Sequence, residues 1–504
     1  MRSFVSAAPR ALRPLASRCA RPAVRIPCFR SFSSTLPRRQ EERQWSTPLA
    51  KQLYEAISLT GPVPLASYMR MCLTGDLGGY YTGAIGEGRD QFGTRGDFIT
   101  SPEISQVFGE LIGIWFTAEW IGQGQPTSGV QVIEVGPGRG TLMDDVLRTI
   151  QRFPVMARSI DSIYMVEASR ELREAQQKLL CGPNATFTET ELGLKGTSKY
   201  GGTPIIWSET IKPIPTKPNN MPFIVAHEFF DALPIHAFES VAVDPEKSPA
   251  PGGPSSPPYP IATKSSTEWR EMMVSPTPPG VTHMDLKTPK SEHGEPVPEF
   301  QLILSSTTTR HSRYVPESSP RYRSLKSTPG SVIEVCPDAS MYANDFATRI
   351  GGSDEKPKPR ASGAALILDY GTSDTVPVNS LRGIRHHRRV NPFSAPGLID
   401  LSADVDFTAI AEAAMDASPG VEVHGPVDQS YFLEAMGIRQ RAEVLAKAPN
   451  LPKETVDNIH KSWRRLVDRG PDGMGKLYKV LAIVPENDGL RPPVGFGGDV
   501  QYQK

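Results

Sequence analysis

Eleven consecutive residues limit what this chain can fold into more than any other stretch: Val130-Gln-Val-Ile-Glu-Val-Gly-Pro-Gly-Arg-Gly140. Val130, Val132, Ile133 and Val135 form a short β-branched run, the pattern of a parallel strand buried on both faces. Gly136, Gly138 and Gly140 end it. Thr141 is expected to cap a helix that follows, with Leu142, Val146, Leu147 and Ile150 on one face. Strand, glycine turn and helix make a nucleotide cradle, because a backbone without Cβ atoms approaches a ligand closely and helix N–H groups point at it. The other reading is a plain strand–helix turn that holds nothing.

The spacing here is Gly-x-Gly-x-Gly, one residue shorter than the dinucleotide fingerprint Gly-x-Gly-x-x-Gly. With Glu134 two residues ahead of the first glycine, the run resembles the first motif of class I S-adenosylmethionine methyltransferases. Ser162–Val166 predicts a second strand, and Glu167 stands at its tip, where a carboxylate can take both hydroxyls of a ribose. A solvated acid at a helix entry is the alternative for Glu167. Ser169 then caps a helix that Gly182-Pro183 ends. Glu134, Gly136, Gly138, Gly140 and Glu167 are therefore the candidate cofactor-binding residues, and the resemblance implies S-adenosyl-L-methionine as the cofactor.

Pro204–Trp207 and Phe223–Ala226 predict further strands. The second runs into His227-Glu-Phe-Phe-Asp-Ala-Leu-Pro234. A zinc protease would need histidine at 231, where Asp231 stands, so no metal is expected there. Glu228 and Asp231 would face the ligand crevice at the carboxyl end of a parallel strand. An acidic mouth suits a guanidinium or amine acceptor, since arginine is not deprotonated by ordinary bases and must be held as a cation. Glu228 and Asp231 are the catalytic candidates; capping or supporting the next helix is their alternative role. Tyr80, Tyr81 and Asp97, in loops ahead of a helix whose start carries Thr100, Ser101, Pro102 and Glu103, are expected to line a substrate channel together with Glu103. Ordinary loop packing is the alternative.

Residues 1–42 predict a mitochondrial presequence, rich in arginine and free of acids before Glu41. A basic tail that binds nucleic acid or lipid is the competing reading. Arg30–Thr35 fits the Arg-x-Phe-x-x-Thr pattern of two-step matrix processing. Removing residues 1–39 takes nine arginines and no acids from a chain with 55 of each sign, leaving a net charge of −9. That charge argues against general nucleic-acid binding and for a basic polypeptide partner. Cys72, Cys181 and Cys336 remain, too scattered for a disulfide framework or a thiolate metal site. No apolar run reaches the length of a membrane span.

Expected boundaries follow. Residues 43–128 form an N-terminal helical region and 129–243 the first part of the core. Residues 244–330 are a proline- and serine-rich insertion, with Ala250–Pro258 at its densest and a hairpin of Trp269–Val274 and Phe300–Leu304. Residues 331–486 hold the rest of the core, beginning with Ser331–Val335, and 487–504 a tail. The fold class is α/β: a Rossmann-like, mostly parallel seven-stranded sheet with an added N-terminal helical region and loop and hairpin insertions. Leu381–Arg389, with His386 and His387, predicts a solvated basic loop.

Five ordered stretches, Gly96–Ser105, Glu134–Gly140, His227–Pro234, Leu368–Gly371 and Asp400–Phe407, resemble the MidA family over about Thr47 to Pro485. Its members are mitochondrial arginine methyltransferases that assist complex I assembly. The chain departs from the family in its longer proline-rich insertions and at Val390-Asn391, which weakens a catalytic role for His386 or His387. The resemblance implies a matrix enzyme that symmetrically dimethylates an arginine on a core matrix-arm subunit of complex I. A small-molecule methyltransferase and a non-catalytic complex I assembly chaperone are the alternatives, and a homodimer stays open.

Overall fold

The glycine-ended strand sits at the centre of the main sheet. The computed structural model describes residues 43–83, 96–243, 266–471 and 473–497; the expected presequence and the Ala250–Pro258 stretch lie outside them. Seven strands carry the core: β1 Val130–Val135, β2 Ile160–Val166, β3 Pro204–Ser208, β4 Met221–His227, β5 Ala364–Thr372, β6 Val421–Asp428 and β7 Tyr478–Pro485. Their spatial order is β3-β2-β1-β4-β5-β7-β6. All pairings from β3 to β5 are parallel, and β7 runs antiparallel between β5 and β6. The expected seven strands are thus present. Among the described residues the sheet reaches ten strands by adding Gly193–Thr197, Thr188–Thr190 and Val405–Asp406.

β1 is buried along its whole length, and its side chains divide by parity as strand geometry demands. Val130 and Val132 join the core on one face; Ile133 and Val135 join the core on the other. Helices α4 (Gln106–Gly122) and α5 (Thr141–Ile150) cover the first face, while Pro337–Gly351 and Phe407–Ala417 cover the second. The strand order reverses between β1 and β4, which opens a crevice beyond their carboxyl ends.

Two local expectations need correcting. Thr141 does not cap α5: Gly140, at φ +84°, is the N-cap, and Thr141 is the first helical residue. Ser331–Val335 does not return to the main sheet. Val332–Val335 pairs with His236–Val243 in a separate five-stranded sheet, completed by Ser266–Pro276, Phe300–Leu304 and Val63–Pro64. Ile333, Glu334 and Val335 are buried there, and the Glu334 carboxylate is satisfied by the Ser380 backbone N–H at 3.1 Å and the Ser380 hydroxyl. Trp269–Val274 and Phe300–Leu304 do pair antiparallel. Helices α1 (Pro48–Thr60) and α2 (Leu65–Thr74) pack on this second sheet through Leu53, Tyr68 and Met69 against Val274 and Phe300.

Leu381–Arg389, expected as a loop, is a hairpin in which Arg382–Arg385 pairs with Arg388–Val390. His386 and His387 form its two-residue turn at φ +49° and +58°, the backbone that a right-twisted hairpin selects. Among the described residues, no helix is long and apolar enough to cross a membrane.

Candidate active site

The three glycines of the turn all adopt positive φ: +68° at Gly136, +51° at Gly138 and +84° at Gly140. A Cβ on Gly136 would lie 2.6 Å from the Phe229 ring, so the acidic loop after β4 closes over the glycine turn. Gln176, fully buried on the Arg170–Cys181 helix, fixes the turn from the other side. Its Nε2 donates to the Gly138 carbonyl at 2.6 Å and to Glu167 Oε2 at 3.4 Å, and its Oε1 accepts from Trp207 Nε1 at 2.9 Å. One amide therefore joins the turn to the acid at the end of β2. Glu167 Oε1 also accepts from the Ser169 backbone at 2.8 Å.

Glu134, Gly136, Gly138 and Glu167 line one cavity of about 450 Å³ with Glu228 and Asp231, and Gly140 caps the helix beneath it. Glu134 is buried, and its Oε2 has no hydrogen-bond partner among the described residues. Burial, then the neighbouring Glu167 charge, raise the Glu134 pKa. Burial alone outweighs the hydrogen bonds to Glu167 and brings it to about 7. A buried carboxylate oxygen without a partner is costly. Here it points to a ligand that brings a hydroxyl or a cationic nitrogen, and a side-chain-free turn leaves room for it. S-adenosylmethionine, with a ribose diol and an amino group, meets that requirement.

Asp369 shapes the end of the cavity that carries Glu228 and Asp231. Fully buried in β5, it accepts through Oδ2 from three successive backbone N–H groups, Phe229 at 3.1 Å, Phe230 at 2.8 Å and Asp231 at 3.3 Å. Its Oδ1 accepts from Tyr370 N at 2.8 Å. This carboxyl holds the loop that presents Glu228 and Asp231. Glu228 adopts φ +49°, an uncommon backbone for a non-glycine residue and a mark of a functional constraint. The Tyr478 hydroxyl donates to its Oε1 at 2.7 Å and also bonds Tyr370 Oη.

The acids here repel one another in a dry setting. Burial, reinforced by Asp231, Glu103 and Asp400, pushes Glu228 up to about 8 despite the Tyr478 bond. Asp231 rises to about 6 through burial, restrained by the Arg382 guanidinium. Asp400 rises to about 7 through burial and the Asp231 charge. His227 falls to about 3 because burial penalises its cation, so it stays neutral. The cavity lining carries eight acids against two arginines, a balance that suits a cation.

The channel candidates divide. Tyr81 and Glu103 line the cavity: Tyr81 donates to Asp400 Oδ1 at 2.9 Å, and Glu103 lies 3.5 Å from Arg139 of the glycine turn. Glu103 Oε2 also accepts from Thr100 N at 3.1 Å, closing the start of α3 (Ser101–Ile104). Tyr80 and Asp97 are not among the lining residues. They are buried behind it and bonded to each other at 2.8 Å. Asp97 holds the histidine hairpin, accepting from His386 N at 2.8 Å on Oδ1 and from His387 N at 2.9 Å on its carbonyl. Sequence reasoning missed Gln176, Asp369, Asp400 and Tyr478 as site residues. Asp369 and Asp400 lie in stretches that resemble the MidA family; for Gln176 and Tyr478 the sequence carries no local signal.

The S-adenosyl-L-methionine-dependent methyltransferase family matches residues 111–427. The Rattus norvegicus protein named "Protein arginine methyltransferase NDUFAF7, mitochondrial" is 33% identical over 87% of this chain and 85% of its own. Its Drosophila melanogaster homolog is 35% identical over 87% and 85%. A Burkholderia thailandensis crystal structure with S-adenosyl-homocysteine bound shares the fold, at TM-score 0.61 and 22% identity over 90% of this chain and 93% of that one. This chain belongs to the S-adenosyl-L-methionine-dependent methyltransferase family, alongside the arginine methyltransferases it matches over most of its length.

Proposed function

We propose that this chain is a mitochondrial matrix protein arginine methyltransferase that symmetrically dimethylates an arginine on a core matrix-arm subunit of complex I, and so serves complex I assembly. The observation that carries the acceptor class is the placement of Glu228 and Asp231, with Asp400 beside them, in the cavity that the glycine turn lines. An acceptor that is small and apolar finds little in eight acids; a guanidinium finds matched charge. The cofactor supplies a methyl group on a sulfonium. Glu134 and Glu167 bind and orient it, and Phe229 excludes water from the turn. Glu228 and Asp231 orient the guanidinium for in-line transfer, a gain from positioning and charge matching that needs no covalent intermediate. Burial holds Glu228 at about 8 in the free protein, and the charge of a bound guanidinium draws off that proton, so that a carboxylate receives at Oε2 the proton the methylated nitrogen sheds. Tyr81 and Glu103 guide the peptide in.

Mass spectrometry of complex I from a strain lacking this gene tests the reading. A symmetric dimethylarginine is expected to vanish from one core matrix-arm subunit. An unchanged subunit, or an asymmetric mark in the wild type, would overturn it.

A pH dependence follows from the raised carboxyls. Glu228 rises from 4.5 to about 8, so the native state holds a proton there that the unfolded chain has lost. Stability from this group is complete below about 4.5 and falls as pH rises to about 8. Glutamine mimics the protonated form. The melting temperature of Glu228→Gln should therefore gain on wild type between pH 5 and 8, as read by calorimetric scans; parallel curves would show that Glu228 titrates normally.

A further inference from the structure

A second polar cluster lies on the five-stranded sheet, apart from the cavity. His236 opens the strand that follows the acidic loop, Glu271 lies on Ser266–Pro276, and His311 lies on the short helix Arg310–Tyr314. One ligand atom from each is within 4.8 Å of the others. His236 Nδ1 stands 2.8 Å from Glu271 Oε1, and His311 Nδ1 stands 3.3 Å from the same oxygen. The two imidazoles lie 4.4 Å apart between centroids, their planes tilted by 42°.

We propose that His236, Glu271 and His311 bind a divalent transition-metal ion, zinc by preference. Two imidazoles and one carboxylate are a donor set for zinc or its neighbours; magnesium and calcium favour oxygen throughout. Atoms at the corners of a tetrahedron with bonds of about 2.0–2.1 Å stand roughly 3.3 Å apart, close to the spacings here. Glu271 is fully buried, a setting in which a carboxylate needs strong partners. Its Oε2 is engaged by the Thr309 hydroxyl, which leaves Oε1 for the ion and orients the ligand as outer partners do in metal sites.

Thr309 also accepts from Ser312 N at 3.0 Å and so caps the helix that carries His311. One residue sets both ligands. His311 is about half exposed, at 44% of its side chain, so solvent can reach a fourth position. The ion would clamp two strands and a helix where the second sheet departs from the Glu228–Asp231 loop. The sequence hides this site, because 35 residues separate His236 from Glu271 and no ligand spacing recurs.

The test uses the full chain with any affinity tag removed, stripped with chelator and then given zinc. Plasma mass spectrometry after gel filtration should find one zinc per chain. His311→Ala, at a half-exposed position, should bind at least about tenfold more weakly. Cobalt(II), as a spectroscopic probe, should give the visible bands of a tetrahedral site in wild type alone. Zinc should raise the melting temperature of wild type and not of His311→Ala. Equal zinc affinity in the two proteins, or no zinc retained by wild type, overturns the proposal and leaves a hydrogen-bonded triad. If His236→Gln fails to fold, His311→Ala still decides.

Discussion

Glu228→Gln is expected to leave donor affinity within about twofold of wild type while lowering kcat by about 10²–10³, the usual cost of losing one preorganised electrostatic contact. The substitution keeps the shape of the side chain, so the φ of +49° and the Asp369-held loop should survive. Tyr478 can still donate to the amide oxygen. What is lost is charge and basicity: the amide nitrogen turns a donor toward a guanidinium that offers only donors, and it cannot take the proton released on transfer. Calorimetric titration with the demethylated donor and single-turnover kinetics on a substrate peptide separate the two effects. Loss of donor binding together with turnover would make Glu228 a support for the fold.

Gly136→Val should act on the opposite side of the cavity and with the opposite signature. The φ of +68° is strained for any residue with a branched Cβ, and that Cβ would stand 2.6 Å from Phe229. Backbone strain alone costs about 1–3 kcal/mol, or about 5- to 150-fold in affinity if it is relieved by opening the turn. The overlap with Phe229 adds to this by pushing the acidic loop outward. Donor binding, measured by calorimetry, should fall below detection, with the far-ultraviolet dichroism unchanged. A variant that still binds donor normally would show that the turn can relax without cost.

Local pattern accounts for what was legible in the sequence. β1, the glycine turn and Glu167 announce themselves because a doubly buried strand, its breakers and its terminal acid all lie within a few dozen residues. The second sheet is less visible. Its strands at 63, 236, 266, 300 and 332 pair across long separations, and one of them, Val332–Val335, is apolar enough to pass for a core strand. The site divides in the same way. Glu228 and Asp231 sit in a contiguous motif, whereas Gln176 and Tyr478 stand behind the lining and meet Gly138 and Glu228 only through tertiary packing. Tyr80 and Asp97 are near the glycine-rich segment in sequence, yet their hydrogen bond faces the histidine hairpin. Order along the chain could not separate lining from backing.

Asp369 grips peptide groups of residues 229–231 and leaves the side chains at 228 and 231 out of that grip. Scaffold and chemistry are therefore carried by different strands, and the identity of the two presented residues is free to change while the bend persists. A lineage built on this frame can trade one methyl acceptor for another by exchanging two side chains, and a designer who wishes to redirect the enzyme has those same positions to rewrite.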